Sequence, residues 1–256
     1  MTTTLDRFIE EWQQWHSERD ESLRQPLGWS SLTALYWLDD TAADYGDVPG
    51  LWRVDGDAVV RELGGETTEY RPVEGAPGVD VEFGRGHIEI IQRTGRFAIR
   101  IHDRTAPALT AFPGIPTYEP DPAWVVTGQF TAFDPPRTVT TGAVVDGLEH
   151  HHRALGLIRF VHDDAEHELV AFGESEASLR ILFTDATSGV TTYPAARILQ
   201  VGAVDDGLVT LDFNRASNLP CAFTDAATCP IAPSENRLAF AVEAGERTPH
   251  GRGAGA

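Results

Sequence analysis

The chain has 256 residues, enough for one large β-rich domain or two small ones with a substantial core. Its formal net charge is -19, and all 20 of its basic residues are arginine. A surface with this excess of carboxylates repels nucleic acid and anionic membranes, so we expect neither as a partner. Because the acids are scattered along the chain, they favour adaptation to high salt over a patch that attracts a cationic partner.

The first residues predict an amphipathic helix over 4–20. Apolar and aromatic side chains recur there at three- and four-residue spacing, and Thr3 with Asp6 forms a plausible N-terminal cap. We interpret the tryptophans of this stripe as core packing. Pro26 and Gly28 end the helix, and residues 28–38 are buried in either a helical or an extended form.

Residues 45–103 change to a period of two, which is typical of strands. Short apolar runs at 51–63, 78–83, 87–93 and 96–103 are separated by glycine, aspartate and proline, and Thr94-Gly95 joins two of them as a hairpin. Further strands are predicted at 123–133, 138–145, 154–161 and 167–172. The fold class is therefore mainly β, an antiparallel β-sandwich or partial barrel with an N-terminal amphipathic helix.

The proline-rich crossing over 103–122 is too irregular for one element. We expect one unit over 1–256, with a subdivision into 1–105 and 106–248 as the alternative and a flexible tail over 249–256. Nothing near Met1 resembles a signal peptide, and no run approaches the roughly 18 apolar residues of a membrane span. A cytoplasmic location is expected, with Cys221 and Cys229 as thiols and a disulfide as the alternative under oxidation.

Four closely spaced motifs follow in order from Phe183 to Glu246. They read F-T-D-A-T-S-G-x-T-T-Y (183–193), L-D-F-N-R-A-x-N-x-P-C-A-F (211–223), C-P-x-x-P-x-E-N-R-L (229–238) and E-A-G-E (243–246). Together they resemble the signature of the family named domain of unknown function 1684, found in bacteria and archaea. Weaker matches at 28–38 and 112–115 extend the resemblance over most of the chain. The resemblance implies kinship and no particular activity.

This signature stretch also holds the candidate site. Asp212 and Asn214 share one face of a strand, and the loop over 217–233 is longer than an ordinary connection. We predict Asp212 and Glu235 as catalytic acid–base groups, and a polar set as ligand-binding residues: Asp185, Thr187, Tyr193, Arg197, Asn214, Asn218 and Asn236. In the competing interpretation the same residues form a buried polar network that fixes the loop.

Other features are interpreted without a special function. The run Glu149-His150-His151-His152 would place two histidines on one face of a strand, but its position after a turn favours a solvated loop. Two cysteines are too few for a structural zinc site, and we predict no metal site. The nucleotide-binding and nucleophile-elbow motifs are absent from the sequence, and no cofactor is identified.

Two functional hypotheses follow from the sequence. The first is a small-molecule enzyme or binding protein for a polar or anionic ligand, with its site at the loops of the C-terminal half. The second is a non-catalytic interaction or structural β module, in which the signature residues only hold the fold.

Overall fold

The computed structural model describes residues 3–46, 48–84 and 86–252. The fold is mainly β, with antiparallel sheets and a long N-terminal helix, as the sequence predicts. By their contacts, the residues divide into two compact units. Unit 1 comprises 1–20, 113–222 and 229–256, and unit 2 comprises 21–112 and 223–228. The last four residues of the predicted flexible tail, 253–256, lie outside the described residues.

Helix α1 (Thr4–Leu23) begins where the sequence places its cap. The Thr3 hydroxyl accepts a hydrogen bond from the Asp6 amide at 3.0 Å, and the Asp6 carboxylate accepts one from the Thr3 amide at 2.8 Å. Trp12 is buried, and its indole N–H donates to the Asn214 carbonyl. The capping box satisfies amides that the first turn leaves unpaired, and the Trp12 contact attaches the helix to unit 1.

Unit 1 is built on one antiparallel sheet with the order β14-β9-β10-β11-β12-β13-β15. Its strands are β9 (Val125–Gly142), β10 (Glu149–His162), β11 (Ala165–Phe172), β12 (Leu179–Phe183), β13 (Arg197–Val201), β14 (Leu208–Asp212) and β15 (Ser217–Asn218). Leu211 of β14 and Leu199 of β13 belong to one buried cluster although their strands lie towards opposite ends of the sheet. The sheet therefore coils around a single core.

Strand β9 corrects one prediction. The sequence predicts two strands, 123–133 and 138–145, but a single strand crosses Pro135 and Pro136. In the ladder with β10, residues 133–136 have no paired residue, and the register shifts between Ala154 and Gly156. The prolines, which lack an amide hydrogen, thus fall in a bulge where no ladder bond is needed.

Unit 2 contains two four-stranded antiparallel sheets, ordered β1-β8-β7-β6 and β2-β3-β4-β5. Their strands are β1 (Leu32–Trp37), β2 (Ala43–Tyr45), β3 (Val48–Asp55), β4 (Ala58–Leu63), β5 (Glu66–Tyr70), β6 (Val79–Phe83), β7 (Gly86–Arg93) and β8 (Arg96–Asp103). Trp52 and Val59 of one sheet share a buried cluster with Ile90 and Ile99 of the other. The two sheets therefore pack face to face as a sandwich.

The remaining segments resolve what the sequence left open. Within the 28–38 segment, residues 29–31 form a 3-10 turn and residues 32–37 form β1. The proline-rich crossing contains one short helix, α2 (Pro107–Thr110). Of the helices in the described ranges, none combines the length and apolar character that crossing a bilayer requires.

Candidate functional site

Arg197 lies at the start of β13 and is buried, with 1% of its surface exposed. Its Nη2 is 2.8 Å from Asp185 Oδ2 and also donates to the Val242 carbonyl at 3.0 Å, while Nη1 donates to the Ala244 carbonyl. Burial lowers the pKa of Arg197, and the Asp185 charge opposes that shift. The guanidinium thus connects the motif over 183–193 with the E-A-G-E segment.

Asp185 and Thr187 complete this network. Asp185 Oδ1 accepts from the Thr187 amide at 2.7 Å, from the Thr187 hydroxyl at 2.5 Å and from the Val242 amide at 3.3 Å. Both carboxylate oxygens of Asp185 are therefore used within the protein. The sequence prediction grouped these three residues, and the structure brings them together.

Asp212 and Asn214 form a second group. Asp212 Oδ1 accepts from the Asn214 amide and side chain, at 3.2 and 3.0 Å, and thereby caps the 3-10 turn over 213–215. Asp212 Oδ2 lies 3.1 Å from Arg215 Nε in a partly exposed ion pair. The Asn214 side chain bonds the amide and carbonyl of Asp121, both at 2.9 Å. Both side chains therefore stabilise backbone conformation at and near the end of β14.

Asn218 meets a buried ion pair that the sequence did not single out. The Asn218 amide donates to Glu246 Oε2 at 2.6 Å, and Arg19 Nε of α1 donates to Glu246 Oε1 at 2.8 Å. Glu246 is fully buried, and burial raises its pKa while Arg19 opposes the shift. The final residue of E-A-G-E therefore attaches the C-terminal segment to the N-terminal helix.

Gly245 of the same motif is constrained by its surroundings. Its φ is +76°, and an added Cβ would lie 2.5 Å from the Ala216 carbonyl oxygen and 2.8 Å from that of Phe213. A side chain there would be strained in its backbone and would also collide with backbone atoms. Close packing of the E-A-G-E segment accounts for the glycine.

Asn236 and Glu235 are neighbours in sequence with opposite environments. Asn236 is buried, and its side chain bonds the amide and carbonyl of Val170 at 2.7 and 2.9 Å and the Leu182 carbonyl at 2.9 Å. Glu235 is exposed and accepts from the Ser234 hydroxyl. Among the described residues Glu235 shares no hydrogen-bond or ion-pair partner with Asp212.

Tyr193 lies in a cluster with the two cysteines, which are buried thiols. The Cys221 amide donates to Cys229 Sγ at 3.2 Å. A hydrogen bond with Cys229 lowers the pKa of Cys221, burial opposes the shift, and Tyr193 reinforces it. Burial, followed by the charge of Cys221, raises the pKa of Tyr193. Arg252 closes this cluster by donating to the carbonyls of Cys221 and Ala222, at 3.0 and 3.2 Å.

A pocket of about 390 Å³ lies beside this cluster and is named here the C-terminal pocket. It is lined by Pro116, Val190, Thr191 and residues 247–252. Arg247 and Arg252 place two guanidinium groups at it, and His250 is exposed there. In the part of the chain that the structure describes, no carboxylate lies within 4.0 Å of the Arg247 guanidinium, whose carbon is 5.3 Å from the Tyr118 ring centroid.

Polar groups complete the lining. The Thr248 amide donates to the Thr191 carbonyl at 3.0 Å, and the Thr191 hydroxyl lies 2.5 Å from the Tyr118 hydroxyl. The Thr248 hydroxyl is buried and has no hydrogen-bond partner within the described residues. The pocket therefore combines two arginines with the side chains of Thr191 and Thr248.

A family model described as "Protein of unknown function (DUF1684)" matches residues 110–247. The chain belongs to the DUF1684 family. The resemblance predicted from the motifs is thereby confirmed. A solution NMR structure of an uncharacterized protein from Haloarcula marismortui is 29% identical, with 56% of this chain and 80% of that chain covered and a TM-score of 0.47. No curated protein matches the sequence.

The DUF1684 match contains every residue of the sequence-predicted site and all seven strands given above for unit 1. It also includes the first lining residues of the C-terminal pocket, Pro116, Val190, Thr191 and Arg247, and ends there. The sequence analysis missed this pocket because 249–252 were interpreted as part of a flexible tail. The adjoining arginines, Arg247 and Arg252, were the available signal.

The histidine run corrects a prediction. Residues 149–152 were expected in a solvated loop but begin β10, and His152 is buried with Nε2 3.1 Å from the Thr141 hydroxyl. Burial, followed by the charge of His150, lowers the pKa of His152 to about 4. The ladder with β9 extends β10 back to Glu149. The prediction of a loop was based on the turn before these residues. In the described ranges no three metal-ligand side chains converge, here or elsewhere.

Proposed function

We propose that this DUF1684 protein binds a small anionic molecule at the C-terminal pocket. The observation that carries the proposal is Arg247, which lines a pocket and has no carboxylate partner among the described residues of a protein of net charge -19. Where carboxylates are so abundant, an arginine left unpaired at a concave surface is best explained by an external anion. Guanidinium groups recognise carboxylate and phosphate through paired hydrogen bonds.

The neighbouring groups support the same ligand class. Arg252 already donates two N–H groups to backbone carbonyls, so its position is fixed before a ligand arrives. A volume of about 390 Å³ suits a metabolite-sized molecule.

In this proposal most sequence-predicted residues support the pocket rather than touch the ligand. Asp185, Thr187 and Arg197 hold the loop that carries Thr191, and Asn218 donates to the Arg247 carbonyl at 2.8 Å. Asp212 and Glu235 are not among the lining residues, and we propose binding rather than a catalytic step through them.

The second hypothesis, a non-catalytic β module, is favoured by one specific observation. The side-chain hydrogen-bonding groups of Asp185 and Asn236 are all used within the protein, as a purely structural signature requires. The two hypotheses differ in whether any small anion binds at Arg247.

The test is a calorimetric and thermal-shift titration with phosphate, citrate and benzoate at fixed potassium chloride. We expect one of these anions to bind the parent, with about 2.7 kcal/mol of added stability at a hundred times its Kd. Arg247→Gln should weaken that binding at least tenfold. The matched control is Arg7→Gln, which removes the same charge from an exposed position on α1.

Stabilisation by a general salt effect can be distinguished from stabilisation by binding at the proposed site. Phosphate and citrate stabilise many proteins by exclusion from the surface, an effect that both variants would retain equally. Equal responses of the parent, Arg247→Gln and Arg7→Gln would refute the anion site and leave the β module.

We also propose that the protein works in the cytoplasm at high salt. The scattered acids, the absence of lysine and the two buried thiols support this environment.

A further inference from the structure

A second pocket lies within unit 2, in the sheet that contains β6, β7 and β8, and is named here the histidine pocket. It has a volume of about 380 Å³ and is lined by Leu27, Gly28, Trp29, Asp80, His87, Glu89 and His102. None of these residues falls in the DUF1684 match, and none was predicted as a site residue from the sequence.

Its two imidazoles face each other across the β7–β8 ladder. His87 and His102 are paired residues, and their rings stack with centroids 4.3 Å apart and planes within 9°. His87 is 6% exposed, with Nε2 3.2 Å from Asp80 Oδ1 and with no hydrogen-bond partner for Nδ1 within the described residues. When Nε2–H faces the carboxylate, Nδ1 is a buried acceptor without a donor.

The tautomer of His102 follows from Ser31. The Ser31 hydroxyl donates its single hydrogen to the Gly28 carbonyl at 2.6 Å, so it accepts at 3.0 Å from His102 Nδ1–H. On its other side, His102 Nε2 faces the Glu89 carboxylate, with 3.6 Å between Nε2 and Oε2.

Glu89 remains ionised because of its neighbours. Although burial opposes ionisation, His102 and the Arg100 guanidinium 3.2 Å away hold the pKa of Glu89 at about 2. Burial, followed by the nearby His102, lowers the pKa of His87, which therefore stays neutral. Arg100 balances Glu89, and Asp80 leaves the pocket with a negative charge.

We propose that the histidine pocket binds a small organic molecule with a primary ammonium group. Two of its lining side chains, Asp80 and Glu89, are carboxylates, His87 adds a buried nitrogen without a partner among the described residues, and an ammonium ion supplies three donors with a positive charge. The indole of Trp29, 36% exposed, provides an aromatic wall for the apolar part of the ligand, and the Arg100 guanidinium lies over the same ring, 5.5 Å from its centroid.

A bare metal ion fits less well. Its ligands must meet at one point about 2 Å from each donor atom, and no three metal-ligand side chains converge in the described ranges. The acceptors are instead distributed over a pocket large enough for several carbon atoms beside the ammonium group.

The experiment titrates the full chain at pH 7.5 and fixed salt with benzylammonium, butylammonium and ethanolammonium. Each is matched by neutral and anionic analogues of the same shape, for example benzyl alcohol and benzoate. Binding is measured by calorimetry and by the imidazole nitrogen resonances of His87 and His102. We expect at least one ammonium ion to bind tenfold more tightly than both analogues and to shift both imidazole signals.

Two variants locate the effect. Asp80→Asn should weaken ammonium binding at least fivefold, whereas Asp57→Asn removes the same charge from an exposed turn of unit 2 and should leave it unchanged. Both carboxylates are largely exposed, so both variants should melt like the parent. Equal losses in the two variants, equal affinity for the neutral analogues, or no binding by any of the three ions would overturn the proposal. Displacement by zinc chloride with shifts of both imidazoles would assign the pocket to a metal instead.

Discussion

At the scale of single residues, the ion pair of Arg197 with Asp185 is buried, whereas that of Arg215 with Asp212 is partly exposed. The side chains of Arg197 and Asp185 are 1% and 0% exposed, whereas those of Arg215 and Asp212 are 40% and 21% exposed. Removing one partner of a buried pair leaves a charge without compensation, but an exposed partner is compensated by water.

We therefore predict that Arg197→Met lowers the free energy of unfolding by about 3–5 kcal/mol. Arg215→Met, the matched control, should cost less than about 1 kcal/mol. Urea unfolding at fixed salt measures both. The double variant Arg197→Met/Asp185→Asn should lose less than the sum of its single variants, because it leaves no buried charge alone. Strict additivity would show that the pair does not act as a unit.

The two acids predicted as catalytic are more exposed than the acids of the buried ion pairs. Asp212 is held by Asn214 and Arg215, and Glu235 is exposed. Neither is buried as deeply as Asp185 or Glu246. From sequence, residues of these types in one stretch are equivalent candidates, and only their burial assigns the network to Asp185, Arg197 and Glu246.

At the scale of elements, Asn236 replaces part of a β ladder. Strands β11 and β12 share one register pair, Phe172 with Arg180, and then diverge. The Asn236 side chain enters the gap and bonds backbone groups of Val170 and Leu182. An amide is suited to this position because it offers both a donor and an acceptor.

Asn236→Ala should lower the free energy of unfolding by about 3 kcal/mol, because it leaves buried backbone groups without partners. Hydrogen exchange of the Val170 amide should accelerate more than that of other β11 amides. The neighbouring exposed substitution Glu235→Gln serves as the control and should change stability by less than about 0.5 kcal/mol. Unchanged Val170 protection in the alanine variant would contradict this role.

The β7–β8 hairpin illustrates how far element prediction can reach. The sequence predicts its turn at Thr94-Gly95, where both residues adopt positive φ. Counted outward from that turn, His87 and His102 are equally distant, as are Glu89 and Arg100, and the ladder pairs each couple. The register of the predicted hairpin is therefore sufficient to predict these two contacts. It does not predict that Ser31 and Trp29, which belong to another segment, lie close to the histidines.

At the scale of the whole molecule, the net charge of -19 determines how the stability of the fold responds to salt. Carboxylates distributed over the surface repel each other in the folded state, and salt screens that repulsion within about 8–10 Å near physiological ionic strength. In molar salt the screening distance shortens further, so the folded state should gain stability.

We predict that the Tm rises by about 4–8 °C between 0.1 M and 2 M potassium chloride, equivalent to about 2 kcal/mol for a chain of this size. A variant in which four exposed acids become amides (Asp57, Glu66, Asp164 and Asp206) should show a smaller rise. Differential scanning calorimetry measures both proteins. A flat response of the parent would mean that its acids are already compensated by arginine, and salt adaptation would lose its support.

The sequence by itself determined the fold class, most of the elements and the family. Alternation of apolar residues, the Thr3–Asp6 cap and the Thr94-Gly95 turn act over a few residues, and four ordered motifs identify the DUF1684 membership. Tertiary structure decided the roles of the polar residues. Contacts between distant segments decide whether Arg197 binds a ligand or Asp185. They also decide whether Glu246 is exposed or paired with Arg19, and whether Arg247 meets a carboxylate. Burial and charge compensation depend on those contacts, and local patterns in the sequence do not specify them.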